Sequence, residues 1–202
     1  EIILNQRSSI GMIMRTESDI LGSMQISESD LRGINTLRAL ENFSLHYKKT
    51  NKSLIYAIVK VKRAAAVTYK KMGIRPDIYE VLIQACDKVL SGKYDQYFSL
   101  ESLQGGAGTS TNMNANEVLA NLALIIWGEK PGAYEKIHPL NDVNRGQSTN
   151  DVYPTALRIA AIEKLRVLSD ECAKLQEALQ QKENTYSEIR KLGRTELMDA
   201  VE

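Results

Sequence analysis

The chain has 202 residues, 43% hydrophobic and 25% charged, an ordinary globular composition that excludes a disordered polymer and suffices for one sizeable core or two small ones. Its 26 basic and 25 acidic residues leave a formal charge of +1, so no global charge points to nucleic acid or an anionic membrane as a partner. No segment has the unbroken apolar length of a membrane span, EIILNQRSSIGMIM lacks the features of a signal peptide, and Cys86 and Cys172, both among apolar neighbours, read as reduced core thiols of a cytoplasmic protein.

Residues 1–13 read as an extension ahead of MRTESDILGS. From Ser53 to Met72 the segment SLIYAIVKVKRAAAVTYKKM combines Ser53 as N-cap, a good helix-forming interior and Gly73 as terminator. The basic runs KVKR at 60–63 and YKK at 69–71 read as the solvated face of that helix. RPDIYEVLIQACDKVLSG follows, with Pro76 near its start, Ile78, Val81, Leu82, Ala85 and Val89 at helical spacing, and Gly92 just past its end. The two segments make a helical hairpin. YDQYFSLESLQGGAGTSTN is polar and glycine-rich, with a short extended piece expected at YFSL, before NANEVLANLALIIWG resumes a strong helix. The prolines, glycines, Asn and Asp of residues 128–150 predict an extended loop.

From Leu157, apolar residues recur at Ala161, Leu165, Leu168, Cys172, Leu175 and Leu179, the spacing of a bundle or coiled-coil seam. Asp151 is the expected cap, Pro154 is expected in the tolerant first turn, and nothing breaks the helix before Lys191 or Gly193. A helix approaching forty residues is about 55 to 60 Å long. The earlier helices are too short to line it, so other chains or a continuation of this one are expected to cover the stripe. The expected architecture is mainly α: a helical domain over residues 14–150, then over 151–202 the first long helix of an oligomeric bundle, which reads as unfinished.

Two polar loops carry the candidate chemistry, each leading into a helix. GGAGTSTNMN at 105–114 places Thr109, Ser110, Thr111 and Asn112 on a glycine-rich backbone that can approach a ligand closely. NRGQSTND at 144–151 places Gln147, Ser148, Thr149 and Asn150 ahead of the long helix. Helix N-termini offer free N–H groups and a positive dipole end, so a small carboxylate is the natural guest. Either loop taken alone is also an ordinary cap or turn. The glycine loop lacks the Lys-Ser/Thr ending of a nucleotide-binding loop, which argues against phosphate.

GAGTSTNMNANEVLAN, IHP followed by DVN, QSTND with YPTALRIA, and the final GRT with DA resemble the aspartase/fumarase superfamily. ILG at 20–22, INTLRALENF at 34–43, VKRAAA at 61–66 and ACDKVL at 85–90 extend the resemblance from Met14 to Ala200. GAGTST and QSTND look more like the aspartase branch than the fumarase branch. The resemblance implies an L-aspartase-like helical fold and a homotetramer whose central helices form one bundle and whose sites draw on three subunits. It implies a dicarboxylate substrate, abstraction of a proton from the carbon beside a carboxylate to give an aci-carboxylate, and loss of ammonia to leave fumarate. It implies no metal and no organic cofactor.

Carried over by resemblance, Thr109, Ser148, Thr149 and Asn150 bind substrate, Thr195 belongs to the catalytic set, and His138 matches a position near a second anion site, although a structural loop histidine is the alternative. Neutral donors and helix N-termini of this kind stabilise charge that grows during reaction, at about 3 to 4 kcal/mol per donor. Three departures stand out. The family's base is a serine on a glycine- and serine-rich loop downstream, accompanied by a lysine and an asparagine, and no stretch of these residues matches it. Glu196 occupies the position where the family usually has histidine, and a carboxylate beside a dianion is repelled by about 4 kcal/mol at about 4 Å and an effective dielectric of ~20. Leu140 and Arg145 are also unusual in the loop before QSTND. The expectation is therefore an aspartase portion inactive by itself, with a non-catalytic truncated homologue acting in assembly or binding, or a fumarase-like hydratase portion, as alternatives.

Overall fold

The computed structural model describes residues 13–200; most of the expected 1–13 extension lies outside the described residues. Two compact units divide at Ala160/Ala161.

The first unit opens with an antiparallel hairpin of β1 (Met14–Asp19) and β2 (Gly22–Ser27), which pairs Met14 with Ser27 and Asp19 with Gly22. Helices α1 (Ile34–Asn42), α2 (Lys52–Lys71), α3 (Pro76–Leu90) and α4 (Thr109–Trp127) follow, and α5 runs Thr149–Tyr186 across the division. A short 3-10 turn covers Asp95–Tyr97, and a π-type turn covers Pro139–Val143. The chain is mainly helical, as expected, but the opening hairpin was not anticipated.

Helix α4 organises the first unit. Every residue from Asn114 to Leu124 is buried, so this helix is enclosed on all sides rather than presenting one apolar stripe. It packs against α3 and α1, while α2 and α3 form the predicted hairpin. Their shared core includes Ile58, Val59, Ile78, Leu82, Val118 and Leu119. Burying each such side chain contributes roughly 1.5 to 3 kcal/mol.

Enclosure forces the polar residues of α4 to find partners. Glu117, 1% exposed, accepts from the amides of Gly33, Asn35 and Thr36 at 2.9 to 3.1 Å and from the Thr36 hydroxyl at 2.5 Å. It thereby caps α1, whose own N-cap position, Gly33, has no side chain to do so. Burial pushes the Glu117 carboxyl up, against the pull of those donors. Asn121 likewise receives the Gly132 amide on its oxygen at 2.8 Å and donates to the Leu31 carbonyl at 2.9 Å.

Several local expectations are corrected. Helix α2 is capped by Asn51, whose side chain accepts from the Ser53 amide, because the helix begins one residue before Ser53. YFSL contains the end of the 3-10 turn and no strand, although Glu101 next to it bridges Lys49. Residues 128–150 are not an extended loop throughout, since the His138 ring and carbonyl organise the π-type turn. Helix α5 begins at Thr149, so Asp151 lies inside its first turn and Pro154 beyond it. The Ser148 hydroxyl takes the capping role, accepting from the Asn150 amide at 3.2 Å. Lys62 is 2% exposed, which overturns the solvated-face reading of KVKR. Cys86 is buried as expected, whereas Cys172 is exposed.

The second unit holds α5 from Ala161 onward and a small antiparallel hairpin of β3 (Arg194–Thr195) and β4 (Met198–Asp199). Its helix ends at Tyr186, short of Lys191, and its length of 38 residues approaches the expected forty. Leu165, Leu168, Leu175 and Leu179 are each 56–61% exposed.

Candidate active site

The glycine loop meets α5 at one close approach. Gly108 is the N-cap of α4 in the left-handed conformation, with φ of +84°, and a Cβ there would lie 2.2 to 2.5 Å from ring atoms of Tyr153. Only glycine satisfies both constraints, which is why the helix start is bare of a side-chain cap. Gln104 compensates from outside the helix: its Oε1 accepts from the Thr111 amide at 3.0 Å and hydroxyl at 3.1 Å. The amides of Thr109 and Ser110, in the first turn, have no intrahelical acceptor and remain suited to an anion.

The start of α5 is joined to the start of α4 by a hydrogen bond. Asn112, 1% exposed, donates its Nδ2 to the Thr149 hydroxyl oxygen at 3.0 Å and to Asn144 Oδ1 at 3.1 Å. Asn144 in turn donates to the Gln147 carbonyl at 2.8 Å, and Gln147 donates to the Val143 carbonyl at 2.9 Å. The QSTND loop is thus pinned from behind, while Ser148 and Asn150 stay exposed and Thr149 half-buried. A cleft of about 370 Å³ opens in front of it, lined by Gly106, Ala107, Gly108, Asn150, Tyr153 and Pro154 among others. Four of the expected residues, Thr109, Ser148, Thr149 and Asn150, therefore sit on two helix starts that one side-chain contact ties together.

Beneath this pair lies Lys62, which the sequence reading missed as a site residue. Its Nζ donates to Asn144 Oδ1 at 3.2 Å and to Gln147 Oε1 at 3.4 Å. Burial pulls its ammonium down to about 7, only weakly opposed by Cys86, and burial also pushes the Cys86 thiol up to about 12. A usable signal existed: Ile55, Ile58, Lys62 and Ala66 fall on one helical face, and the other three are apolar.

The remaining expected residues are placed elsewhere. The His138 Nδ1 accepts from the Leu140 amide at 3.0 Å and the Asn141 amide at 3.3 Å, and its own amide donates to Asp142 Oδ2 at 2.8 Å. An accepting Nδ1 assigns the proton of the neutral ring to Nε2. His138 borders a separate cleft of about 500 Å³ with Glu17, Asp19 and Glu117 on its walls. Thr195 and Glu196 belong to the second unit, in the β3–β4 hairpin, where Thr195 pairs with Met198 and Glu196 adopts a positive φ of 52°. Leu140 is exposed, and the Arg145 guanidinium lies 5.9 Å from the centre of the Tyr69 ring.

Comparison with known proteins identifies the family and the fold. The lyase family profile matches residues 22–202. An aspartate ammonia-lyase of Helicobacter pylori is 45% identical over 191 residues, covering 93% of this chain and 41% of that protein. The aspartate ammonia-lyase of Escherichia coli is 42% identical, with 93% of this chain and 40% of that protein covered. Among solved structures, a fumarate lyase:delta crystallin from Brucella melitensis superimposes with a TM-score of 0.87 at 43% identity, covering 94% of this chain and 45% of that one. A class II fumarase from Schistosoma mansoni gives 0.84 at 32% identity, covering 94% and 40%. The chain spans about two fifths of the length of the curated relatives it matches. With the profile covering nearly all of the sequence and the helical fold shared, the chain belongs to the aspartase/fumarase superfamily of lyases.

Proposed function

We propose that these residues form part of an aspartate ammonia-lyase, contributing the carboxylate-holding face of a site that converts L-aspartate to fumarate and ammonia. The observation that supports the reading is the Asn112–Thr149 hydrogen bond, which joins the two helix starts, with Gly108 of one start and Asn150 of the other on the wall of one cleft. Thr109 and Ser148–Asn150 supply neutral donors there, and the helix N-termini add positive potential without a counter-charge. Proton loss beside a carboxylate spreads a second negative charge onto that carboxylate. Fixed donors that strengthen as this charge grows lower the barrier for the step.

Two features of the second unit complete the reading. Thr195 joins the site in the assembled protein, and the exposed stripe of Leu165, Leu168, Leu175 and Leu179 packs against the same stripe of other copies in a homotetramer. Glu196 stands where a histidine is usual and disfavours a dianion unless it is protonated or paired.

Succinate, an unreactive dicarboxylate, tests the binding part. Calorimetric titration of the 202-residue chain should show saturable binding weakened about tenfold by Thr149→Ala, the loss expected for one charge-assisted hydrogen bond. The same pure chain should release no fumarate from L-aspartate, because none of its residues matches the family's base loop. Absence of succinate binding, or measurable turnover by rigorously pure material, would each overturn the corresponding half of the proposal.

A further inference from the structure

We propose that Gln104 determines which ligands the start of α4 accepts: it caps the helix with a neutral amide, leaving two backbone amides and the positive end of the helix uncompensated for an anion, where a carboxylate cap would close them. The identity of that anion as a dicarboxylate rests on the reading above; the capping contrast stands on geometry alone.

Two helix starts of the first unit are built in opposite ways. At α1 four successive amides are taken by carboxylates: Glu17 accepts from Ile34 at 2.9 Å, and Glu117 accepts from Gly33, Asn35 and Thr36. Negative charge there satisfies both the donors and the dipole, so nothing is left for a ligand. At α4 only the third amide, that of Thr111, is held, and its acceptor is the uncharged Gln104 Oε1 at 3.0 Å. The amides of Thr109 and Ser110 have no acceptor among the described residues, and Gly108 ahead of them has no side chain to supply one. A hydrogen bond to a neutral oxygen leaves the dipole of the helix in place.

Backbone groups fix the amide of Gln104 from both sides. Its Oε1 meets the Thr111 N–H, which can only donate, and its Nε2 donates at 2.7 Å to the Glu101 carbonyl, which can only accept. The Glu101 carboxylate is drawn onto a different segment, where its Oε2 accepts from the Leu45 and Tyr47 amides at 3.1 Å on either side of His46, whose φ is +54°. Gln104 itself lies on the wall of the cleft of about 370 Å³, and none of the nine residues lining that cleft is charged. Tyr153, the one titratable group among them, is pushed up by burial and stays neutral. An acid in place of Gln104 would put the first charge on this wall.

The test follows backbone amides of the 202-residue chain by NMR during titration with succinate. The Thr109 and Ser110 resonances should shift to saturation while that of Thr111, held by Gln104, stays in place. Gln104→Met, neutral but unable to cap, should bring Thr111 into the set that shifts. Gln104→Glu should retain the helical circular-dichroism signal and bind about tenfold more weakly, with affinity regained as acid neutralises the new carboxyl. Sulfate, whose charge stays constant over that range, is the probe for the pH series. A Thr111 amide that moves as far as its two neighbours in the unmutated chain would overturn the proposal even if both variants failed to fold, and so would a folded Gln104→Glu protein with undiminished affinity at every pH. If sulfate shifts Thr109 and Ser110 and succinate does not, the role of Gln104 stands and the dicarboxylate reading falls. If neither anion moves them, both fall.

Discussion

Up to Ala160 the apolar residues of the helices are largely hidden by the chain's own segments: Ile58, Ile78, Val89, Val118, Leu119 and Leu124 have no exposure or almost none. From Ala161 onward the helical leucines keep more than half of their surface in solvent. Both regions place apolar residues at helical steps of three and four, but the α5 stripe is longer and set among more charged residues. Apolar positions in α2, α3 and α4 meet partners brought in by nearby turns, whereas α5 repeats its stripe over a distance that no other element among the described residues of its own unit spans. Under the proposed function this stripe is an assembly surface, whereas the apolar residues of the first unit are buried by its own elements.

The polar interior of the first unit offers the sharpest way to break that contrast. Glu117→Ala leaves the first amides of α1 and the Thr36 hydroxyl without their acceptor inside the core. A loss of roughly 3 to 5 kcal/mol is expected in chemical denaturation, against little change for an alanine placed on the exposed stripe of a dissociated chain. If Glu117→Ala is harmless, the first unit does not depend on this cap.

Lys62 acts in the opposite direction. Its folded-state value, about 7, lies below the 10.5 of a free lysine, so between those limits the unfolded chain binds more protons than the folded one. Folding stability should therefore rise as pH increases from about 7 toward about 10.5, and the full penalty applies below about 7. Lys62→Met removes the penalty and should stabilise the first unit by roughly 2 to 4 kcal/mol at pH of about 6, with the advantage fading toward pH of about 10. Denaturation curves at several pH values check this, and a constant difference across them would contradict it.

Much of this was legible in the sequence, and what was missed has physical causes. The hairpin of α2 and α3 announced itself through Pro76, Gly92 and helical spacing, and the 38-residue α5 through its steps of three and four. The β1–β2 hairpin was not seen because its strands carry mostly polar residues, and only Glu17 and Ile26 of the two are buried. Ser53 and Asp151 were read as caps because residue type locates a helix start only to within a residue or two. Thr109 and Ser148–Asn150 were found through their loops, yet the contact that unites them lies on Asn112, a buried asparagine indistinguishable in sequence from the others of α4. Lys62 was hidden by its neighbours, since a lysine within KVKR reads as solvated until its own helical face is counted.

Light scattering on the purified 202-residue chain most directly tests the proposal that the leucine stripe of α5 is an assembly surface. The account predicts a particle of about 90 kDa, four times 22.6 kDa, that dissociates when Leu168 and Leu175 are both replaced by aspartate. A particle of 22.6 kDa at every concentration, unchanged by those substitutions, would contradict it.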